Sequence, residues 1–413
     1  DNNPSVDFGL VQPMSLGDYV WIDNNGNGLQ DETGTGLDGV TVDLFVLDQS
    51  GNPVQASDVN GDPVPATTTA GGDDTTETTA AGGGGDTDAG GQTDGGDLLE
   101  VVLDRGELNC GVNETLPGFG SRDTDGNLVG FDVDLCRAVA AALFGDSESV
   151  RYEPLTASAR FEAVNSGLID LLSRNTTWTQ SRDTDLGLDF APTTYYDGQQ
   201  LMAKGADGFS SGSALADIEG ATVCTNAGTT TEKNISEAAS ALGVNITLQT
   251  FEDFDIVMEN FKSGACQVVT TDGSGLVSRK ASDAEGGDWV IFPEVPISKE
   301  PLGPAWAQNN SRFGDVVTWT IFAMLIAEEA GIDSTNVADA QSSPPNDEIS
   351  RLLGGEGELQ TAMGIPTSAF FDVISQVGNY AEVYDRHLRP LGLERGLNAL
   401  WSDGGLLYPP PAR

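Results

Sequence analysis

The sequence predicts an α/β protein of two lobes behind a small all-β module. Three observations predict it. From about residue 98 onward, strand-like and helix-like segments alternate, once before about residue 200 and once again after it. Strands alternating with helices build largely parallel sheets, and two such sets make two lobes with a cleft between them. A tract with no apolar side chain larger than alanine, TTTAGGDDTTETTAAGGGGDTDAGGQTDGGD over 67–97, divides the chain. Ahead of that tract the strongest patterns are short β-type runs.

In the first 60 residues, DYVWI and VTVDLFVL are rich in β-branched and aromatic residues and alternate in polarity, as half-buried strands do. Between them lies DNNGNGLQDE, with Asp23, Asn25 and Asn27 at alternate positions, then Gly28, Asp31 and Glu32. Alternate residues pointing inward, a glycine for the sharp turn and a later carboxylate form the first half of a calcium loop. Calcium is therefore the expected ion, on Asp23, Asn25, Asn27 and Asp31. The closing spacing departs from the helix–loop–helix pattern and fits a loop between strands. A bare Asn/Gly-rich turn is the alternative. Residues 61–97 cannot form a core and read as a disordered acidic Gly/Thr tether.

The large module, 98–413, opens with a strand in LNCGVN, a helix in FDVDLCRAVAAALFG, a strand in VRYEPL and a helix leading into a strand in ARFEAVNSGLIDLLS. ATVCTN, TTTEKNISEAASALG, ITLQTF and DIVMENFKSGACQVVTT repeat the alternation. The expected lobes are about 98–200 with 299–413, and about 201–298. The most apolar run, VVTWTIFAMLIAEEAG at Val316–Gly331, is too short to span a bilayer and ends in two glutamates, so it reads as a buried amphipathic helix.

With 64 acidic residues against 19 basic, the formal net charge is -45. Nucleic acid and anionic membrane both need a basic face, so neither is an expected partner. Such self-repulsion is relieved by salt, which fits a high-salt habitat or simply an acidic secreted protein. Cys110, Cys136, Cys224 and Cys266 fall into an early and a late pair, without a CxxC and with a single histidine in the chain, which disfavours zinc. Two structural disulfides outside the cytoplasm are expected, with four buried thiols as the alternative. No signal peptide is recognisable, and the abrupt polar start suggests processing.

One stretch asks for a ligand. LLSRNTTWTQSRDTD, 171–185, sets two arginines among hydroxyl and amide side chains in a cation-poor chain. It is either a loop of helix-capping residues or a cradle for a small anion such as a carboxylate.

Two resemblances bear on these readings. LGDYVWIDNNGNGLQDETGTGLDGVTVDL, within about residues 15–48, resembles the SdrD-like B-type repeats of Gram-positive surface adhesins, which implies a calcium-stiffened β-sandwich stalk. The family's second half, a Gly-Tyr-Phe strand followed by a Pro-Gly turn, is missing before the tether, and SVDFGL looks like the last strand of a preceding repeat. The module is thus expected as a partial sandwich with an unpaired edge. Either the early strand folds back to complete it, or it pairs with a neighbouring molecule and self-associates.

From about residue 98 to the end, LNCGVNETLPGFG, GNLVGFDVDLCRAVAAALFG, DLLSRNTTWTQSRDTDLGLDFA, GATVCTNAGTTTE, VVTTDGSGL and LGLERGLNALW resemble the general L-amino-acid-binding proteins of polar amino-acid ABC importers. The resemblance implies the type II periplasmic-binding-protein fold, two α/β lobes on two crossover strands. It implies free L-amino acids as ligand, a membrane permease of the ABC class as partner and an extracytoplasmic location. It also implies pairing of Cys110 with Cys136 and of Cys224 with Cys266, one bridge inside each lobe, and a C-terminal extension, Ser342–Arg413, wrapped on lobe one.

A receptor for many amino acids must grip the carboxylate and ammonium they share. The family pattern puts the carboxylate clamp at Arg182, where a guanidinium can offer two parallel hydrogen bonds, and a hydroxyl at Thr177, with Asn175 in the same turn. Thr229 and Thr230 match on the second lobe, at a helix start that favours an anion. Asp272 matches the acid that holds the ammonium. Surface pairing of Arg182 with Asp183 or Asp185, helix capping by Thr229 and Thr230 and turn capping by Asp272 are the plain alternatives. Arg174 either pairs with a carboxylate in its lobe or reaches an acidic ligand side chain. Trp178, Phe119 and Leu116 wall the pocket or pack the core, and His387 is expected to be structural. No GxxxxGK[ST] loop occurs and a Ser-His-Asp set has one histidine to draw on, so an enzyme is not expected. The rival to a transport receptor is a surface or filament protein in which the β module assembles and the binding domain is displayed.

Overall fold

The computed structural model describes residues 45–47, 53–55, 97–355 and 359–413. The chain divides into two units, Asp1–Gly90 and Gly91–Arg413. In the first, Phe45–Leu47 pairs antiparallel with Pro53–Gln55. The calcium-loop residues Asp23, Asn25, Asn27 and Asp31, and the tether before residue 97, lie outside the described residues.

The second unit contains two five-stranded sheets. The first is built from β1 (Leu108–Val112), β2 (Val150–Pro154), β3 (Leu171–Leu172) and β4 (Leu188–Phe190), with a late strand β12 (Ala305–Ala307), in the order β2-β1-β3-β12-β4. β1 runs parallel to β2 and β3, while β12 is antiparallel to its neighbours. The second sheet is built from β6 (Gln199–Lys204), β7 (Thr222–Asn226), β8 (Thr247–Phe251), β9 (Val268–Asp272) and β10 (Trp289–Phe292), in the order β8-β7-β9-β6-β10. Here β7 is parallel to β8 and β9, and β6 is antiparallel to β9 and β10. Between the sheets, β5 (Tyr195–Asp197) and β11 (Glu300–Leu302) pair antiparallel and carry the chain across twice. This is the type II periplasmic-binding-protein arrangement, with mixed rather than purely parallel sheets because the late strand β12 in the first sheet and the first strand β6 in the second run against their neighbours.

Helix formation follows local chemistry. α2 (Phe131–Phe144) is rich in alanine, ends at Gly145 in the left-handed conformation and is buried along most of its length. α5 (Thr230–Leu242) starts at a Thr229 cap and ends at Gly243. The apolar run at Val316 lies in α8 (Ser311–Glu329), whose Val316, Val317, Ile321, Met324 and Leu325 join the largest core. Among the described residues no helix is long and apolar enough to cross a membrane.

The C-terminal segment packs on the first lobe. Phe370, Val373, Ile374, Tyr380, Tyr384 and Leu388 share one core with α2 and α8. It also grips the crossover. Asn398 Oδ1 accepts from Tyr196 N at 2.6 Å, Asn398 Nδ2 donates to Tyr196 O at 3.1 Å, and Tyr380 donates its hydroxyl to Thr194 O at 2.7 Å. His387 Nε2 meets Asp134 at 2.7 Å, and Arg137 and Arg386 pair with the same buried carboxylate, a structural knot between α2 and the C-terminal segment.

Cys110 is bonded to Cys136, clipping β1 to α2, and Cys224 to Cys266, closing the second lobe. Both bridges stay within a lobe and leave the crossover strands free. Replacing Cys110 and Cys136 together by alanine is expected to cost about 2–4 kcal/mol, the usual effect of losing a bridge over a loop of this size. A denaturant midpoint unchanged by that pair of substitutions would refute it.

Candidate functional site

The carboxyl ends of the parallel strands in both sheets point into one cleft. Asn113 follows β1, Pro154 closes β2, Arg174 follows β3, Asn226 closes β7, Glu252 follows β8 and Asp272 closes β9, and all six line a cavity of about 130 Å³. Strand ends at a switch of topology are where open α/β sheets bind ligands, because side chains and helix N-termini converge there. The lobes meet across it. Thr177 Oγ1 lies 3.4 Å from Thr230 Oγ1, and Ser158 donates its hydroxyl to Glu252. Gly228, opposite Ser158 on the other rim, takes φ 70°, the left-handed conformation that favours glycine.

The turn after β3 holds much of the first-lobe chemistry. Asn175 has φ 31°, a left-handed conformation that asparagine tolerates, and its N–H donates to Asp132 Oδ2 at 2.7 Å. Thr177 is 3% exposed and lines the cavity. Arg182 starts from a helical turn capped by Thr179 and reaches back under Thr177, donating Nη1–H to Thr177 O at 2.8 Å, with its guanidinium 4.9 Å from the centre of the Phe161 ring. It is buried, not paired with Asp183 or Asp185, and stands one layer behind the cavity wall. Burial lowers its pKa to about 10, with Glu300 and Asp272 opposing that fall, so it remains a cation at neutral pH.

On the second lobe, Thr229 is a helix cap. Its hydroxyl accepts from Glu232 N at 3.1 Å and donates to Asn226 O at 2.8 Å. Thr230 and Thr231 open α5, and both line the cavity; the first N–H groups of a helix have no intrahelical acceptor and favour an anion. Asp272 lines the cavity from the end of β9, is 7% exposed, and its side chain caps nothing although it precedes α7 (Gly273–Ser282). Burial, then Asp197 and Glu300, hold its pKa well above the ordinary carboxylate range, against the pull of Arg160 and Arg182.

Several site residues were missed in the sequence. Arg160 lines the cavity at 3% exposure; its Nη1 makes only long hydrogen bonds, to Arg174 O at 3.4 Å and Thr176 Oγ1 at 3.5 Å, and its Nε has no partner. Burial, then Arg182 and Arg174, push its pKa down. Arg174 makes no ion pair among the described residues: it donates Nε–H to Leu155 O at 2.8 Å, burial lowers its pKa to about 10 with the Asp132 carboxylate opposing that fall, and it lines the cavity. Arg279, from α7, brings a guanidinium to the second-lobe side, paired with Asp255 and set over Phe254. Asp197 on β5 accepts from Ser274 N and Gly198 N, and burial pushes it up to about 6. Glu300 on β11 is 1% exposed. An arginine before a phenylalanine on a short helix, and a glutamate in a crossover strand, carry no signal in one sequence that sets them apart from surface charge.

The three aromatic and aliphatic wall candidates separate. Phe119 is core, edge-on to Phe131 and Tyr195 at 6.1 and 5.2 Å. Trp178 is 42% exposed and stacks on Phe190, away from the cavity. Leu116 lines the cavity. Among the described residues no cluster of three or more metal-ligating side chains occurs.

The arrangement can hold a small zwitterion. Buried guanidiniums of the first lobe face a helix N-terminus and an uncapped buried carboxylate of the second. Comparison with known proteins agrees. The model for bacterial extracellular solute-binding proteins, family 3, matches residues 108–284. The general L-amino acid-binding periplasmic protein AapJ of Rhizobium johnstonii is 45% identical over 320 residues, 76% of this chain and 92% of that protein. The glutamate/glutamine/aspartate/asparagine-binding protein BztA of Rhodobacter capsulatus is 44% identical over 318 residues, 76% of this chain and 93% of that protein. A periplasmic binding protein of an ABC transporter from Brucella ovis, solved with glutathione bound, has a TM-score of 0.74 and 44% identity, covering 77% of this chain and all of that one. Residues 14–94 match the model of the SdrD B-like domain, further than the 15–48 stretch that carries the resemblance and into the Gly/Thr tract.

Proposed function

The chain belongs to the bacterial extracellular solute-binding proteins, family 3, and from that membership we propose that it captures free L-amino acids of broad specificity outside the cytoplasm and delivers them to an ABC permease. It is an amino-acid-binding protein of an importer, not an enzyme. The observation that carries the broad specificity is the mixed charge of the cavity wall. Arg160, Arg174 and Arg279 supply cations, and Glu114, Glu252 and Asp253 supply carboxylates beyond the Asp272 that suits the ammonium. An acidic ligand side chain and a basic one each find an opposite charge, and a neutral one leaves the wall's own pairs, such as Arg279 with Asp255, undisturbed. The clamp we assign is Arg182 with Asn175 and Thr177 on one lobe, and Thr229, Thr230 and Asp272 on the other, Thr229 acting through its cap. Closure is favoured when carboxylate and ammonium are both present. The adhesin-like module serves as a spacer, stiffened by calcium at Asp23, Asn25, Asn27 and Asp31 and loose along the tether.

The test is thermal unfolding with each common amino acid in turn. Ligand that binds the native state alone raises the midpoint, by about 2.7 kcal/mol of stabilisation at a hundredfold excess over Kd. Upward shifts are expected with acidic, neutral and basic amino acids alike, and none with their deaminated acids. A shift with no amino acid, together with filaments in electron micrographs, would replace the receptor by the structural rival.

A further inference from the structure

Glu300 stands where the two lobes and the crossover meet, and two of its hydrogen bonds come from residues already assigned to the ligand. Its Oε2 accepts from Thr177 Oγ1 of the first lobe at 2.7 Å and from Thr230 Oγ1 of the second at 2.8 Å. Its Oε1 accepts from Asn234 Nδ2 on α5 at 2.8 Å and from the Ser298 hydroxyl just before β11. Four donors satisfy the carboxylate without any ligand.

Two consequences follow from elementary hydrogen-bond counting. A threonine hydroxyl has one proton and two lone pairs. Thr177 and Thr230 both spend that proton on Glu300, so toward the cavity they can only accept. They suit an ammonium, not a carboxylate, and the carboxylate is left to the guanidiniums and the helix N–H groups. Second, one oxygen atom joins a hydroxyl from each lobe, and charge-assisted bonds to a buried carboxylate are the strong kind. Thr177 is tied to the crossover itself through its bridge with Leu302, so opening the jaws must break the Thr230 and Asn234 bonds first.

We propose that Glu300 is a positioning residue, a crossover-borne clasp that joins the lobes through Thr177 and Thr230 and fixes both hydroxyls as acceptors for the ligand's ammonium. The ammonium half of this rests on the amino-acid-receptor reading. The clasp half does not.

The experiment uses the full chain with fluorophores on one exposed position of each lobe, Asp125 and Leu242, introduced as cysteines beside the two intact bridges. Glu300→Ala, Thr230→Val and the double variant are compared with the parent. In the ligand-free protein each single variant is expected to lengthen the inter-lobe distance, and the double variant to lengthen it no further than Glu300→Ala alone, since the two groups act as one contact. Affinity for an amino acid should fall at least about tenfold, chiefly through faster release. A residue that merely stabilised the fold would lower the melting point and leave distance and release rate alone. If Glu300→Ala does not fold, Thr230→Val reads the same contact from the other side. Unchanged distance in the folded variants overturns the clasp. A parent protein that binds no amino acid would overturn the receptor reading, and the ligand-free distances would still decide for or against the clasp.

Discussion

Arg182→Met is expected to give a folded protein that has lost most of its affinity for amino acids. Methionine keeps the length of the side chain and its apolar contact with Phe161 while removing the donors. In the parent, one N–H of Arg182 is spent on Thr177 O, and its other N–H groups make no hydrogen bond among the described residues. Truncating one partner of a buried charge pair costs about 2–5 kcal/mol, much of it from leaving the other charge desolvated, so affinity is expected to drop by about 30- to 4,000-fold. Calorimetry with an amino acid that shifts the parent's melting point measures it, with circular dichroism as the control for folding. Arg160→Met belongs beside it, because Arg160 lines the cavity directly and Arg182 stands behind Thr177. Undiminished affinity in Arg182→Met, with the loss appearing only in Arg160→Met, would move the clamp to Arg160.

The fold was legible where pattern and chemistry agree. Two rounds of alternating strand and helix announced two sheets, and the threonines of GTTTE announced the start of α5. Hydroxyl and acidic residues in NTTWT, GTTTE and TTDGSG marked the cleft because each lies in a turn at the end of a strand. Glu300 was illegible because no local pattern reports contacts between residues more than a hundred positions apart, such as Thr177 with Glu300, and Arg160 because its contacts to Arg174 O and Thr176 Oγ1 depend on how the helix after β2 packs on the turn after β3. Thr229 shows the limit from the other side. Its motif was read correctly as a helix start, yet the motif alone could not say whether its hydroxyl serves ligand or helix, and the cap takes it.

Amino-acid capture is expected to release a proton, and Asp272 is the group that gives it up. In the empty cleft burial and the neighbouring Asp197 and Glu300 raise its pKa well above the ordinary range, so below that raised value the side chain is neutral. An ammonium arriving beside it favours the carboxylate and expels the proton. Affinity should therefore weaken as pH falls, by up to about tenfold per pH unit once the empty protein is protonated there. Calorimetry in two buffers of different ionisation enthalpy should report net proton release on ligand binding at any pH where the unliganded Asp272 still holds its proton. Asp272→Asn should abolish that release and lose affinity, since a neutral amide replaces the charge facing the ammonium. The unliganded protein carries the same linkage in its stability. Asp132, pushed up to about 7 by burial, and Asp197, at about 6, join Asp272 in binding protons more tightly folded than unfolded. Stability from these groups is full below the unfolded carboxylate value of 3.8 and declines as pH rises through 6 and 7. Ligand removes the Asp272 share of that decline, so the ligand-induced rise in melting point should grow with pH over the same window. A rise that is flat with pH, or heats that do not change with buffer, would mean that Asp272 is already ionised in the empty cleft and that the ammonium is held by other groups.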